Sequence, residues 1–95
     1  MSRGLPFGNP ETLADGEAVN VDVRGFRVLT VIAEDGATAT VSRVDSMSAV
    51  AHTAITNTVD GSAAEAVDVF DCDWPYFRIS VADADARWAL AGYPE

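Results

Sequence analysis

The sequence predicts a mainly-β domain, an antiparallel β-sandwich or small barrel of about seven short strands. Three observations predict it. Apolar and polar residues alternate in short runs, the period of a half-buried strand. Gly- and Asp-rich turn signals separate the runs every 8–12 residues or so. No segment carries a helical repeat long enough for the crossover of an α/β unit.

The elements follow in chain order. Residues 1–18 are set apart by Gly4, Pro6, Gly8, Pro10 and Gly16, and their apolar residues Leu5, Phe7 and Leu13 lack helical spacing. Proline fixes φ and biases its predecessor toward extended conformations. The stretch reads as an extended N-terminal arm, either a dispensable terminus or a segment that orders on a partner with Leu5 and Phe7 as anchors. The β-sandwich domain then spans 19–95. Val19, Val21 and Val23 alternate with Asn20, Asp22 and Arg24, and Gly25 breaks that strand. Phe26 to Ala33 is apolar and β-branched on both faces, as expected of a central strand. Glu34-Asp35-Gly36 reads as a hairpin turn, with Ala37 to Asp45 as the return arm.

Ser46 to Ala54 has the Ala and Met of a short helical turn, and β character resumes over Thr53 to Val59. Asp60-Gly61-Ser62 is a second turn, followed by strands at Ala64–Phe70 and Tyr76–Val81. Ala82 to Ala86 closes a tight connection to a last strand, Arg87–Ala91. Around the stretch Asp68–Ser80, Val67 and Val69 share one parity while Phe70, Cys72 and Trp74 share the other. The apolar face therefore switches between residues 69 and 70, as a bulge or bend does. Asp71 and Asp73 then fall on the solvent side, and Pro75 ends ladder pairing.

Composition limits the function classes. The chain has 95 residues, 48% of them hydrophobic, which makes one domain with a core rich in Ala and Val. Its 15 acidic and 6 basic residues, all of the latter Arg, leave a net charge of −9. Such a surface repels nucleic acid and anionic membranes. It also suits solubility or a basic partner surface. No apolar run is long enough to span a bilayer, and residues 1–8 lack the apolar stretch of a secretion signal. A single cysteine excludes an intrachain disulfide.

Side chains that bear chemistry are few and scattered. His52, the only His, has no nucleophile signature nearby. Cys72 lies between Asp71 and Asp73, which oppose thiolate formation. Asp71/Asp73 and Asp83/Asp85 are bare Asp-x-Asp pairs without the further ligands of a calcium loop. Trp74, Tyr76, Phe77 and Trp88 lie close in sequence, but the parity of Phe77 with Ile79 and Val81, and of Trp88 with Leu90, suits a core-facing hairpin across the Ala82–Ala86 connection. Tyr76 is the aromatic expected to be exposed. The expectation is a non-enzymatic protein without catalytic residues, metal or cofactor.

Several phrases carry a family likeness: LPFGNPETL at Leu5–Leu13, VDVRGF at Val21–Phe26, VSRVDS at Val41–Ser46, and EAVDVF ahead of DWPYFRIS. In texture the chain resembles small virion structural proteins of tailed bacteriophages, the capsid decoration (cement) proteins. The resemblance implies a protein assembled in the host cytoplasm onto the virion's capsid surface, where it binds the major capsid protein and stabilises the shell. It also implies a homotrimer or other homo-oligomer, with no nucleic-acid or membrane partner. The arm would add a strand to the capsid protein, through partner-binding residues Leu5, Pro6, Phe7, Pro10 and Leu13. The alternatives are another virion component (head fibre, head–tail connector or tail protein) and a glycan- or calcium-binding β-module using Tyr76, Trp88 and the aspartates.

Overall fold

The computed structural model describes residues 11–50 and 56–92. They form a β-sandwich of eight strands: β1 (Glu11–Leu13), β2 (Ala18–Asp22), β3 (Val28–Ala33), β4 (Thr38–Val44), β5 (Thr56–Asp60), β6 (Ala66–Asp71), β7 (Tyr76–Ala82) and β8 (Ala86–Ala91). All pairings are antiparallel. The first sheet has the order β1-β8-β3-β6 and the second β2-β7-β4-β5. Among the described residues there is no helix.

Consecutive strands, β4 and β5 excepted, belong to different sheets. In the two orders, β1 and β2, β8 and β7, β3 and β4, and β6 and β5 occupy matching positions. The connections are therefore arches over the sandwich rim rather than hairpins within a sheet. This corrects two expectations. Glu34-Asp35-Gly36 does not close a hairpin, because β3 and β4 lie in opposite sheets, and the Ala82–Ala86 connection likewise passes from one sheet to the other. A turn signal gives a reversal of the chain but not its plane. The reversal is pinned here by the neighbouring arch: the Gly36 amide donates to the Gly61 carbonyl, and the Gly61 amide to the Ala37 carbonyl, each at 2.8 Å.

The core lies between the sheets and is built from small side chains. Leu29, Ile79, Val23, Val31 and Val41 are its largest fully buried members, with Ala33, Ala37, Ala39 and Ala86 filling the gaps. Each fully buried Val or Leu contributes about 1.5–3 kcal/mol, so stability is spread over many modest increments. The alternation predicted for Val19, Val21 and Val23 holds: Val21 and Val23 are buried, and Val19 packs against the core.

Two further expectations change. Glu11–Leu13, placed in the arm, is an edge strand beside β8, and Leu13 is 6% exposed inside this chain's own core. Leu13 is thus a sandwich residue, occupied by its own fold, and not a free anchor for a partner. No bulge occurs at 69/70 either. β6 pairs with β3 in unbroken register from Ala33↔Ala66 to Val28↔Asp71. The parity conflict is resolved because Val67 and Val69 point away from the core.

Candidate functional site

In-register strands carry their side chains on shared faces, so the register locates every residue of the first sheet. The inward row of β3 is Leu29, Val31 and Ala33, each fully buried. Opposite them on β8 lie Leu90, Trp88 and Ala86, and on β6 Phe70, Asp68 and Ala66. The outward row is then Val28, Thr30 and Ile32 of β3, Val67, Val69 and Asp71 of β6, and Arg87, Ala89 and Ala91 of β8. Between Asp71 at one end and Arg87 at the other, these outward positions carry no charge, in a chain that is 22% charged. Val67 and Val69 are 59% and 57% exposed.

β6 is an edge strand, and its polarity is inverted. Its valines face outward, while Asp68 occupies the inward row opposite Val31. Asp68 remains exposed, and its Oδ1 accepts a hydrogen bond from the Val69 amide at 3.1 Å. A carboxylate on the inward side of an edge strand discourages another strand from adding there. A carboxylate thus guards the edge, while the exposed apolar surface of the face is the Val67 and Val69 row of β6. Beside it Val28, Thr30 and Ile32 of β3 are half-buried, and the outward Ala89 and Ala91 of β8 are buried, at 7% and 2%. At its Arg87 end, Arg87 Nε lies 2.8 Å from Glu34 Oε2, an ion pair without hydrogen-bond alignment, and Nη2 lies 3.2 Å from Glu65 Oε2.

The outer face of the second sheet differs. Asn20 of β2 donates through Nδ2 to the carbonyls of Met47 at 2.9 Å and Ala49 at 2.7 Å, with Ser46 at 3.3 Å. Its Oδ1 accepts from Arg78 Nη1 at 2.9 Å. The segment after β4 is thereby held back across β7 to β2. This accounts for the burial of Ser42 and Val44, which sit on the outward side of β4. The Trp74 indole fixes the start of the same segment by donating to the Val44 carbonyl at 2.9 Å.

The remaining candidates have structural partners. Asp73 binds Arg43 at 2.9 Å, and that guanidinium holds its carboxyl below the usual range. Asp22 binds Arg24 at 2.7 Å and is drawn down to about 2 by the hydrogen bonds it accepts from Arg24. Arg24 also stacks over Tyr76, and Arg43 over Phe77. Asp15 Oδ1 accepts from the Asp83 amide at 2.8 Å, and Asp85 Oδ1 from the Asp15 amide at 3.3 Å. These carboxylates brace a rim where Asp83 takes a positive φ of 77°. Among the described residues, no three His, Cys, Asp or Glu side chains come together to hold a metal ion. The Cys72 thiol is pushed up to about 11 by burial and then by the charges of Asp71 and Asp73. Trp88 packs against the core and Tyr76 lies in the opposite sheet, so the two form no shared platform.

Of the proposed arm anchors, Leu5, Pro6, Phe7 and Pro10 lie outside the described residues, as does His52. Val67 and Val69 escaped the sequence reading because valine was assigned to the core. The available signal was their parity, which no unbroken strand reconciles with Phe70 and Cys72. No family model matches this chain, and neither a curated protein nor a solved structure matches it.

Proposed function

We propose that this chain is a non-enzymatic structural protein that acts by docking, and that its place is the outer surface of a tailed-phage capsid. There it binds the major capsid protein and reinforces the shell as an oligomer. The observation that carries the docking reading is the uncharged outer face of the first sheet, with two valines more than half exposed on an otherwise acidic chain. A face of this kind is kept for contact with another surface. The capsid as partner rests on the resemblance of the sequence alone. Residues 1–10 lead into β1 at the edge of that same sheet, so an arm and the face would engage one partner surface together.

The test is co-sedimentation with assembled tailed-phage capsid shells. Saturation at hundreds of copies per shell supports decoration. Tens of copies or fewer indicate a connector, fibre or tail component. Absence of binding overturns the capsid reading. A chain lacking residues 1–10 keeps β1 and Leu13, and its shell binding measures what residues 1–10 add.

A further inference from the structure

We propose that the open edge of β8 is occupied by the chain's own residues 8–10, which continue β1 along it in the same register and carry Phe7 to the end of the core. The assignment does not rest on the capsid reading. In a strand, successive residues turn their N–H and C=O groups to opposite neighbours. Just past one end of the β3–β8 pair, the Glu34 amide donates to the Asp85 carbonyl at 3.2 Å. Even positions of β3 therefore bond odd positions of β8, so that Arg87, Ala89 and Ala91 find their partners on β3. Ala86, Trp88 and Leu90 turn their backbone groups to the other side, where Leu13 meets Ala86 and Glu11 meets Trp88. Among the described residues no strand faces Leu90 on that side. Leu90 is half-buried, and the N–H and C=O it presents there call for partners. The register puts residue 9 in that place.

The residues ahead of Glu11 suit it. Positions 6, 8 and 10 share the parity of Thr12, at which the backbone turns away from β8 to the free edge. Pro6 and Pro10 stand there, where a missing N–H costs no ladder bond and blocks a further strand. Each proline also biases the residue before it, Leu5 or Asn9, toward an extended backbone. Asn9, at the position that bonds Leu90, keeps both its N–H and its C=O. Leu5 and Phe7 share the inward parity of Leu13, which is buried in the core. Phe7 falls opposite Gly92 and diagonal to Leu90, which packs against the core without being closed over.

The outward side agrees. Ala89 and Ala91 are only 7% and 2% exposed, as expected of residues flanked on both sides, by Thr30 and Val28 of β3 and by positions 10 and 8. Residues 8–10 follow Glu11 directly, so they reach this edge without closing a loop. Their tether also puts them ahead of a strand arriving from another molecule. The segment left to reach a partner is then residues 1–6, while Phe7 and Pro10 belong to the sandwich.

NMR on the full chain, with no shell present, tests this. One expected result is an Hα–Hα cross-peak between Pro10 and Ala89, a close pair without mutual hydrogen bonds in this register. The other is a slowly exchanging Leu90 amide. In a chain lacking residues 1–10 that amide should exchange roughly 10-fold faster or more. The Ala89 and Ala91 amides, bonded to β3, should keep their protection and so report that the shortened chain is folded. A chain lacking residues 1–6 should match the full chain at all three amides. A Leu90 amide that exchanges equally fast with and without residues 1–10 overturns the proposal, as does the absence of the Pro10–Ala89 cross-peak. A cross-peak between labelled and unlabelled chains in a mixture also overturns it, because the strand then comes from a second copy. Co-sedimentation with shells is a separate measurement, so the capsid reading can fail while this pairing stands, and the reverse.

Discussion

Replacing Gly61 with alanine places a methyl carbon 2.6 Å from the Glu34 carbonyl oxygen, 2.8 Å from that of Ala33 and 2.9 Å from that of Ala37. All three are backbone atoms, so no side chain can swing aside. The two arches must separate, and with them go the hydrogen bonds from Gly36 to Gly61 and from Gly61 to Ala37. Gly61 is buried, so its freed groups find no water. At about 1–3 kcal/mol for a buried polar group left unpaired, the two bonds put the loss near 2–6 kcal/mol. If the bonds are kept instead, overpacking costs about 1–3 kcal/mol. A domain of this length has only about 5–14 kcal/mol in all. At roughly 4–8 °C per kcal/mol, G61A should melt about 4–24 °C below the unaltered chain if the bonds are kept, and further below it if they are lost. Thermal unfolding followed by circular dichroism reads the shift, and hydrogen exchange should show the Gly36 and Gly61 amides losing protection together. A shift under about 4 °C with both amides still protected would refute the account of how the arches lock.

Other outcomes follow from the same geometry. N20A removes the donor to three carbonyls and the acceptor for Arg78; it should cost about 2 kcal/mol and speed proteolysis within residues 45–50. N20D, which keeps an acceptor for Arg78 but loses the donor, should be cut as fast. Cys72, with its thiol raised to about 11, should be alkylated on the order of 100-fold more slowly at pH 8 in the native chain than in urea. Because the folded state holds this proton more tightly than the unfolded chain, Cys72 favours folding below pH 9, and that contribution fades as pH climbs toward 11. Asp22, lowered to about 2 by Arg24, should be among the last carboxylates to protonate in an NMR titration. Its contribution is present above the unfolded value near 4 and is lost as pH falls toward 2. R24A should return its titration to the ordinary range.

Much of this was legible in the residues. Alternation at Val19, Val21 and Val23, the turns at Gly36 and Gly61, and the inward parity of Phe77, Ile79 and Val81 follow from period-two patterning and hold in the fold. What was not legible has physical causes. Asp-Gly marks a reversal equally well in a hairpin and in an arch, so Glu34-Asp35-Gly36 could not say that β3 and β4 part to different sheets. Glu11–Leu13 is too short to show a period, and β8 determines it from the far end of the chain. The outward valines of β6 were hidden by the rule that aliphatic residues are buried, which runs one way only, since much of any folded surface is apolar. The candidate site lay in that failure: a strand whose pattern contradicted itself was read as bent, when it was straight and inverted.

The strand order has a consequence for how the chain acquires its fold. β7 and β8, last in the sequence, occupy interior positions: β8 separates β1 from β3, and β7 separates β2 from β4. During synthesis β1 and β2 therefore have no neighbours until residues 76–91 emerge, and only β4 and β5 can pair early as a hairpin. Closing contacts across so much intervening chain is slow. The folding nucleus must include the final strands, with β1 and β2 joining as outer staves once the middle is complete. Removing β8 should take away the cooperativity of the whole sandwich, because without it the first sheet falls into two unconnected edges.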